Sequence, residues 1–129
     1  MQIDGNEIFN KGGLMCRLSR MASLEYQVKY LVHATAEYYE DPSEMAELLC
    51  DECWRALDEK FRFRFLSYER EIIKELAELI YRYFKDQSLL EGDTYEYLVY
   101  HNKSWVEVRE LALKTLHIFG YKPYNFNYD

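Results

Sequence analysis

The chain has 129 residues, the size of one domain, and its 16 basic and 23 acidic residues give it a net charge of −7. This acidic balance excludes general adhesion to nucleic-acid phosphates or anionic lipids, because both need a basic surface. Apolar residues make up 49% and charged residues 30%, as in a globular protein, and five Gly and two Pro are too few for a turn-rich all-β chain.

The compartment expected for the chain is the cytoplasm. Residues 1–10 contain acidic side chains and no basic stretch followed by an apolar one, as a secretory signal requires. Uncharged stretches are only a few residues long, so the sequence predicts no membrane span. Three cysteines are too few for a disulfide scaffold.

The helical pattern is expected to begin at residue 21, after a loosely packed N-terminal arm over residues 1–20 that contains Gly12 and Gly13. The first predicted helix ends near Glu40, and its apolar residues recur at about 100° per residue. They are Met21, Leu24, Val28, Leu31, Val32, Thr35, Ala36, Tyr38 and Tyr39.

A strong helix start follows at residues 41–44. Asp41 is a suitable N-cap, Pro42 fits the first helical position, and Glu44 stands where a capping box requires it. The helix after this start has two distinct faces. The predicted core face contains Met45, Ala46, Leu49, Cys50, Cys53, Trp54, Ala56 and Leu57, and the opposite face is almost entirely acidic.

A third helix is predicted from about Ser67 to Asp86. Between residues 42 and 92 there is no Gly or Pro, so one very long helix is conceivable. The two apolar arcs are out of register by about a third of a turn, however, which favours a break between residues 58 and 67.

Two more helices are predicted near the C-terminus. Asp93 is expected to cap a short helix ending near Asn102, and Ser104 is expected to cap the last helix. Gly120 should end that helix, and residues 121–129 form an extended aromatic tail. The fold class is therefore all-α: an irregular bundle of four main helices plus one short helix, as a single domain over residues 21–120.

Cys50 and Cys53 have the C-x-x-C spacing of redox and zinc sites. They lie far from a helix N-terminus, on the apolar face, with two carboxylates between them, and each of these features raises a thiol pKa. No second C-x-x-C is present to complete a zinc site. The favoured interpretation is core packing, and no cofactor is expected.

Two pairs of glutamates, Glu44 with Glu47 and Glu75 with Glu78, suggest an alternative function. Paired helix-borne carboxylates hold magnesium in all-α nucleotide hydrolases, and such ligands must converge in a cleft. All four residues lie opposite the predicted core arcs, so a solvated surface is favoured. No nucleophile, phosphate-loop or zinc-protease motif occurs, and no catalytic residue is predicted.

Residues 60–65 alternate cations with aromatic rings, as single-strand nucleic-acid platforms do. Only three cations are present, and they directly follow an acidic segment. The favoured interpretation places the three phenylalanines in the core and the arginines near a helix C-terminus, where cations are stabilised.

Two surfaces favour a protein partner. Residues 37–59 contain nine acidic residues and one basic residue, so the net negative charge is concentrated there. A second surface is predicted on the first helix, away from its core arc, where tyrosines suit an interface. This tyrosine stripe consists of Tyr26, Tyr30, His33 and Glu37.

The function predicted from the sequence is a small acidic helical interaction or regulatory module, such as an antagonist of a basic partner surface. The alternative is the metal-dependent nucleotide hydrolase. Neither direct nucleic-acid nor membrane binding is expected, and a homodimer is left open. The predicted partner-binding residues are Glu44, Glu47, Asp51, Asp58, Tyr26, Tyr30 and His33.

Overall fold

Helices make up most of the described part of the chain, which is residues 13–123 of a computed structural model. Within this range there is no β-strand, which confirms the all-α fold. The six α-helices of residues 13–123 are α1 (Gly13–Ala22), α2 (Leu24–Gln27), α3 (Pro42–Leu57), α4 (Ser67–Lys85), α5 (Tyr95–His101) and α6 (Lys103–Ile118). A π-helix (Val28–Val32) continues α2, and a 3-10 helix (Arg62–Arg64) precedes α4.

The four long helices enclose one core. Helix α1 packs against α3 and α6, α3 packs against α4, and α4 packs against α6, so the four contacts close a ring. Leu49, Leu76 and Trp105 come from three of these helices and are fully buried inside the ring. The short helix α5 packs against the π-helix and α6, at the side of this bundle.

Helix α3 begins with the N-cap and the first-turn proline that the sequence predicts. The Asp41 carboxylate accepts hydrogen bonds from the backbone N–H groups of Ser43 and Glu44, at 2.9 and 3.3 Å, and Pro42 occupies the first turn. Its cap satisfies donors that an α-helix leaves unpaired at its start. The local signal was sufficient here because all of its parts lie within four residues.

The predicted break between α3 and α4 is also confirmed. Residues 58–66 leave the α-helical path and include the 3-10 helix. The Glu69 carboxylate accepts a hydrogen bond from the backbone N–H of Leu66 at 2.7 Å, which stabilises the start of α4. The apolar arc predicted for α4 then enters the core, with Ile73, Leu76 and Ile80 fully buried.

The predicted first helix over residues 21–40 is wrong in both boundaries. Helix α1 already begins at Gly13, and the π-helix ends at Val32, so residues 33–40 form a loop. Ser23 separates α1 from α2, and its hydroxyl accepts a hydrogen bond from the backbone N–H of Tyr26 at 3.0 Å. A serine side chain that bonds nearby backbone in this way ends one helix and caps the next. The predicted apolar residues in the loop are exposed: Thr35, Ala36, Tyr38 and Tyr39.

The predicted N-terminal arm also needs correction. Residues 13–20 belong to α1, where Cys16, Leu18 and Ser19 are buried, so the helical bundle includes residues that the sequence assigned to the arm. The rest of that predicted arm, residues 1–12, and most of the predicted aromatic tail, residues 124–129, lie outside the described residues.

The caps of α5 and α6 differ from the predicted ones. Thr94 caps α5 in place of Asp93, and Asn102 caps α6 in place of Ser104. The Asn102 side-chain oxygen accepts from the backbone N–H of Trp105 at 2.9 Å, while its nitrogen donates to the carbonyls of residues 88, 89 and 91. The buried Asn102 side chain therefore forms hydrogen bonds with both the loop before α5 and the start of α6. No local spacing in the sequence indicates this double role.

The end of α6 agrees with the sequence. Gly120 has a φ of +86°, in the left-handed region that glycine adopts without a steric penalty. The N–H of Gly120 bonds the carbonyl of His117 at 2.9 Å, and the N–H of Tyr121 bonds the carbonyl of Leu116 at 3.1 Å. This pair of bonds is a Schellman motif, which ends the helix.

A membrane-spanning helix is not found in residues 13–123, where every helix is either too short or too polar to cross a bilayer.

Candidate functional site

An exposed row of carboxylates runs along α3 and just past its end. We call it the acidic face, and it consists of Glu44, Glu47, Asp51 and Asp58. At 3.6 residues per turn, these positions fall within an arc of about 80° or less. All four side chains are solvent-exposed, as the sequence predicts.

The acidic face has little positive charge to balance it. Arg55 is the one basic residue of α3, and its guanidinium lies 3.9 Å from the Glu52 carboxylate and 5.3 Å from the centroid of the Phe61 ring. Across residues 13–123, no ion pair involves any of the four acidic-face carboxylates. Their negative potential is therefore directed to solvent.

Trp54 lies at the edge of the acidic face rather than in the core. The sequence placed it on the apolar arc, but its side chain is 43% exposed, so that prediction is wrong. Its helical position falls between those of Glu47 and the core residues Cys50 and Cys53, at the border of the two faces.

An open groove with a volume of about 860 Å³ adjoins Trp54 and extends over the outer side of α4 to α6. Its apolar lining includes the indole of Trp54 and the side chains of Leu79 and Leu111. Its charged lining is mixed, with an acidic excess: Glu71, Glu75, Glu78, Glu107 and Glu110 against Lys74, Arg82 and Lys114. The Tyr83 hydroxyl donates a hydrogen bond to the Glu107 carboxylate.

The two glutamate pairs considered for magnesium are on different surfaces. Glu75 and Glu78 line the groove, whereas Glu44 and Glu47 belong to the acidic face. Among the described residues, no three His, Cys, Asp or Glu side chains are close enough together to hold a metal ion. The geometry therefore gives the hydrolase alternative no support.

The predicted tyrosine stripe is not an exposed surface. Tyr26 is only 4% exposed, and its hydroxyl donates a hydrogen bond to the Glu40 carboxylate, which also lies 3.2 Å from the Arg20 guanidinium. Burial, followed by the bond to Glu40, raises the pKa of the Tyr26 hydroxyl. The loop over residues 33–40 folds back onto Tyr26 and Tyr30, where the N–H of Glu40 bonds the carbonyl of Tyr30 at 3.0 Å.

Of the other three residues of the stripe, one packs against neighbouring rings and two face solvent. The Tyr30 ring is half-buried, with its centroid 4.4 Å from that of Tyr26 and 6.1 Å from that of Tyr38. His33 and Glu37 are exposed. Thus Tyr26 is unavailable as a contact residue, while His33 remains at the surface beside the loop.

The cysteine pair is part of the packing between α3 and α4. Cys53 is fully buried, and the half-buried Cys50 thiol lies 3.7 Å from the carbonyl oxygen of Ala77, to which it donates a weak hydrogen bond. Burial raises the pKa of both thiols. Thiols with raised pKa values are poor nucleophiles, which supports the core interpretation.

Thiol labelling tests this interpretation. We expect a maleimide to modify Cys50 and Cys53 slowly in the native protein and rapidly in denaturant, because neither is both accessible and ionised when folded. The variant Glu47→Cys is the control, since it places a thiol on the exposed acidic face and should react rapidly when native. Equal native rates at Cys53 and at the control position would contradict the packing described here.

Phe63 is a surface residue that the sequence analysis missed. Of the three phenylalanines placed in the core, Phe65 contacts the Phe119 ring, with a centroid distance of 5.9 Å, and Phe61 is half-buried. Phe63 is 75% exposed, so its core assignment is wrong. Phe61 and Phe63 each stand between two cations, so the alternating pattern contains no signal that separates the half-buried ring from the exposed one.

Comparisons of the chain with protein-family models, curated proteins and solved structures find no match.

Proposed function

We propose that this chain is a non-enzymatic interaction module that binds a partner protein with a basic surface through the acidic face and Trp54. The observation that carries the proposal is the exposed indole in a row of carboxylates without ion-pair partners in the described chain. A large aromatic side chain within a charged surface is the composition of an interface with a central anchor and a polar rim.

We expect the carboxylates of the acidic face to increase the rate at which the partner associates. Four carboxylates on one side of α3 attract a basic surface over a distance of about 10 Å at 0.1 M salt. Exposed charges of this kind increase the association rate and select a complementary partner, and they contribute less to the lifetime of the complex. Binding should therefore slow and weaken as the salt concentration rises.

We expect the Trp54 indole to lengthen the lifetime of the complex. The Trp54 indole borders the groove, so a partner side chain placed there would bury the ring against Leu79 and Leu111. Truncating a central aromatic anchor commonly weakens binding by about 2 kcal/mol or more, mainly through faster dissociation. Trp54 takes the anchoring role that the sequence analysis assigned to Tyr26 and Tyr30.

A charge-reversal experiment tests the proposed function. The chain and its Glu44→Lys/Glu47→Lys/Asp51→Lys variant serve as baits for proteins of the source cell at low salt. We expect the variant to lose the captured partner, because the reversal replaces attraction by repulsion. The fold should persist, which far-ultraviolet circular dichroism checks, since all three side chains are exposed.

A matched variant controls for the change in net charge. Glu25→Lys/Glu91→Lys/Glu96→Lys alters the charge equally at exposed positions that belong neither to α3 nor to the groove, and capture should be retained. Trp54→Ala should mainly increase the dissociation rate of the captured partner. If the α3 reversal captures the same protein as the unmodified chain at low salt, the acidic face is not the binding surface.

A further inference from the structure

The turn between α3 and α4 differs in charge from the rest of the chain. Residues 60–68 read KFRFRFLSY and contain three cations and no carboxylate, in a chain whose net charge is −7. We call this segment the basic-aromatic turn. Three of its apolar side chains are largely in solvent: Phe63 is 75% exposed, Leu66 59% and Tyr68 54%.

These side chains are exposed although hydrogen bonds and packing hold the backbone of the turn in place. The Arg70 guanidinium donates hydrogen bonds to the carbonyls of Arg62 and Phe65, and Phe65 is anchored against Phe119. The Asp58 carboxylate accepts a bond from the backbone N–H of Lys60 at 3.0 Å. The backbone is thus held on both sides of Phe63 while the ring itself points away from the core.

The basic-aromatic turn lies at the end of a helical hairpin. Helices α3 and α4 pack against each other and are joined by residues 58–66 alone, so the connection reverses the chain direction at one end of the bundle. This position allows a flat surface to contact the turn while Glu44, Glu47 and Asp51 lie farther along α3. Asp58, the last carboxylate of the acidic face, borders the turn.

The composition of the turn fits an anionic lipid surface better than a nucleic acid. Exposed aromatic and aliphatic side chains enter the boundary between headgroups and acyl chains, while neighbouring cations contact anionic headgroups. Leu66 has no role in base stacking, and the charged lining of the groove over α4 has an acidic excess rather than a continuous track of cations. We propose that the basic-aromatic turn docks the protein on an anionic membrane surface, with Phe63 and Leu66 inserted.

This inference replaces the expectation, drawn from net charge, that no membrane is bound. At physiological salt, electrostatic interactions extend only about 8 Å from a surface. A contact limited to the tip of the hairpin therefore responds to Lys60, Arg62 and Arg64 more than to the carboxylates farther along α3 and α4. Asp58, Glu59 and Glu69 flank the turn, and the carboxylates of Asp58 and Glu69 accept backbone N–H bonds from it. The proposal does not depend on the function proposed for the acidic face.

Vesicle sedimentation tests the proposal with the full chain. We expect the protein to pellet with phosphatidylcholine vesicles that contain about 30% phosphatidylserine at about 0.1 M salt, and to stay in solution with phosphatidylcholine alone. Arg62→Gln/Arg64→Gln should weaken the binding about 25-fold, since each cation near such a surface accounts for about fivefold. Phe63→Ser should weaken it about tenfold or more, and Phe63→Leu should keep most of it.

Matched controls separate the turn from general surface effects. Tyr39→Ser removes another highly exposed ring, and Lys85→Gln/Lys103→Gln removes two exposed cations elsewhere; neither should change vesicle binding by more than about twofold. Insertion has its own readout. Phe63→Trp adds an indole at the tip, whose emission should shift to shorter wavelengths on adding vesicles and be quenched by nitroxide-labelled acyl chains.

Three outcomes would overturn the proposal. One is that the unmodified chain fails to bind phosphatidylserine vesicles, and another is that binding is unchanged in both turn variants while they remain folded. The third is that the turn variants lose affinity only for a fluorescent single-stranded oligonucleotide, which would identify the turn as a nucleic-acid site.

Discussion

Replacing Leu76 by alanine should lower the free energy of unfolding by about 2–5 kcal/mol, measured by urea denaturation. Leu76 is fully buried near the middle of α4, which contacts both α3 and α6 inside the ring of four helices. The substitution removes apolar contacts and leaves a cavity that helices held on two sides cannot readily close. The neighbouring surface substitution Lys74→Ala should change stability by only about 0.5 kcal/mol or less.

Leu76→Ala modifies the buried side of α4, and Lys74→Ala modifies its exposed side. Comparable small effects at positions 74 and 76 would mean that the helix does not present Leu76 to the core, and that the packing of α4 described here is incorrect. A large effect at Leu76 together with an unchanged dependence on urea concentration would indicate loss of packing without a change in the denatured state.

Replacing Gln27 by leucine should destabilise the protein by about 3 kcal/mol, although leucine is apolar and similar in size. The Gln27 side chain is fully buried and takes part in four hydrogen bonds. Its nitrogen donates to the carbonyls of Arg20 and Met21, at 3.3 and 2.7 Å. Its oxygen accepts from the Trp105 indole and the Arg109 guanidinium, at 3.0 and 2.9 Å.

The cost arises because the partners of Gln27 lose hydrogen bonds at a place where Gln27 and Trp105 are fully buried. The Trp105 indole is fully buried, and burial lowers the pKa of Arg109, which shows that its charge is already poorly solvated. Each buried donor that loses its acceptor costs about 1–3 kcal/mol. Arg109 keeps its hydrogen bond to the Val99 carbonyl at 2.7 Å, so we expect its loss of the Gln27 acceptor to cost less than the full penalty.

A double-mutant cycle isolates the contact between Gln27 and Trp105. Trp105→Phe removes the indole donor, so the penalty of Gln27→Leu should be smaller in that background by about 0.5–3 kcal/mol. Additive effects of the two substitutions would show that this hydrogen bond contributes little. The cost of Gln27→Leu would then come from Arg109 and from the carbonyls of Arg20 and Met21 in the last turn of α1.

Local signals in the sequence were sufficient where a few neighbouring residues decide the structure. Asp41 and Pro42 start α3 with bonds inside one turn, and Gly120 ends α6 because its positive φ is available to glycine without strain. The period of apolar residues in α4 likewise identified its buried side. These features depend on backbone geometry over at most a few turns, so they are readable without knowledge of the fold.

Local signals did not predict the structure of residues 21–40, because the neighbours of these residues come from distant parts of the chain. The buried Gln27 bonds Trp105 and Arg109 of α6, and Tyr26 bonds Glu40 across the loop. These contacts favour the π-helix and the loop over a straight helix, although the apolar pattern fits the straight helix as well. Propensity along the chain contributes less here than burial and pairing of polar groups.

The candidate site shows the same division. The all-α class and the row of exposed carboxylates on one helix are readable from the order of residues, because helical periodicity separates the two faces of α3. The solvent exposure of Trp54 and Phe63 and the burial of Tyr26 follow from how the helices pack. An aromatic side chain at the border of a helix face, or in a turn, fits either environment. Its burial depends on whether another element packs over it, and that is set by the arrangement of the whole bundle.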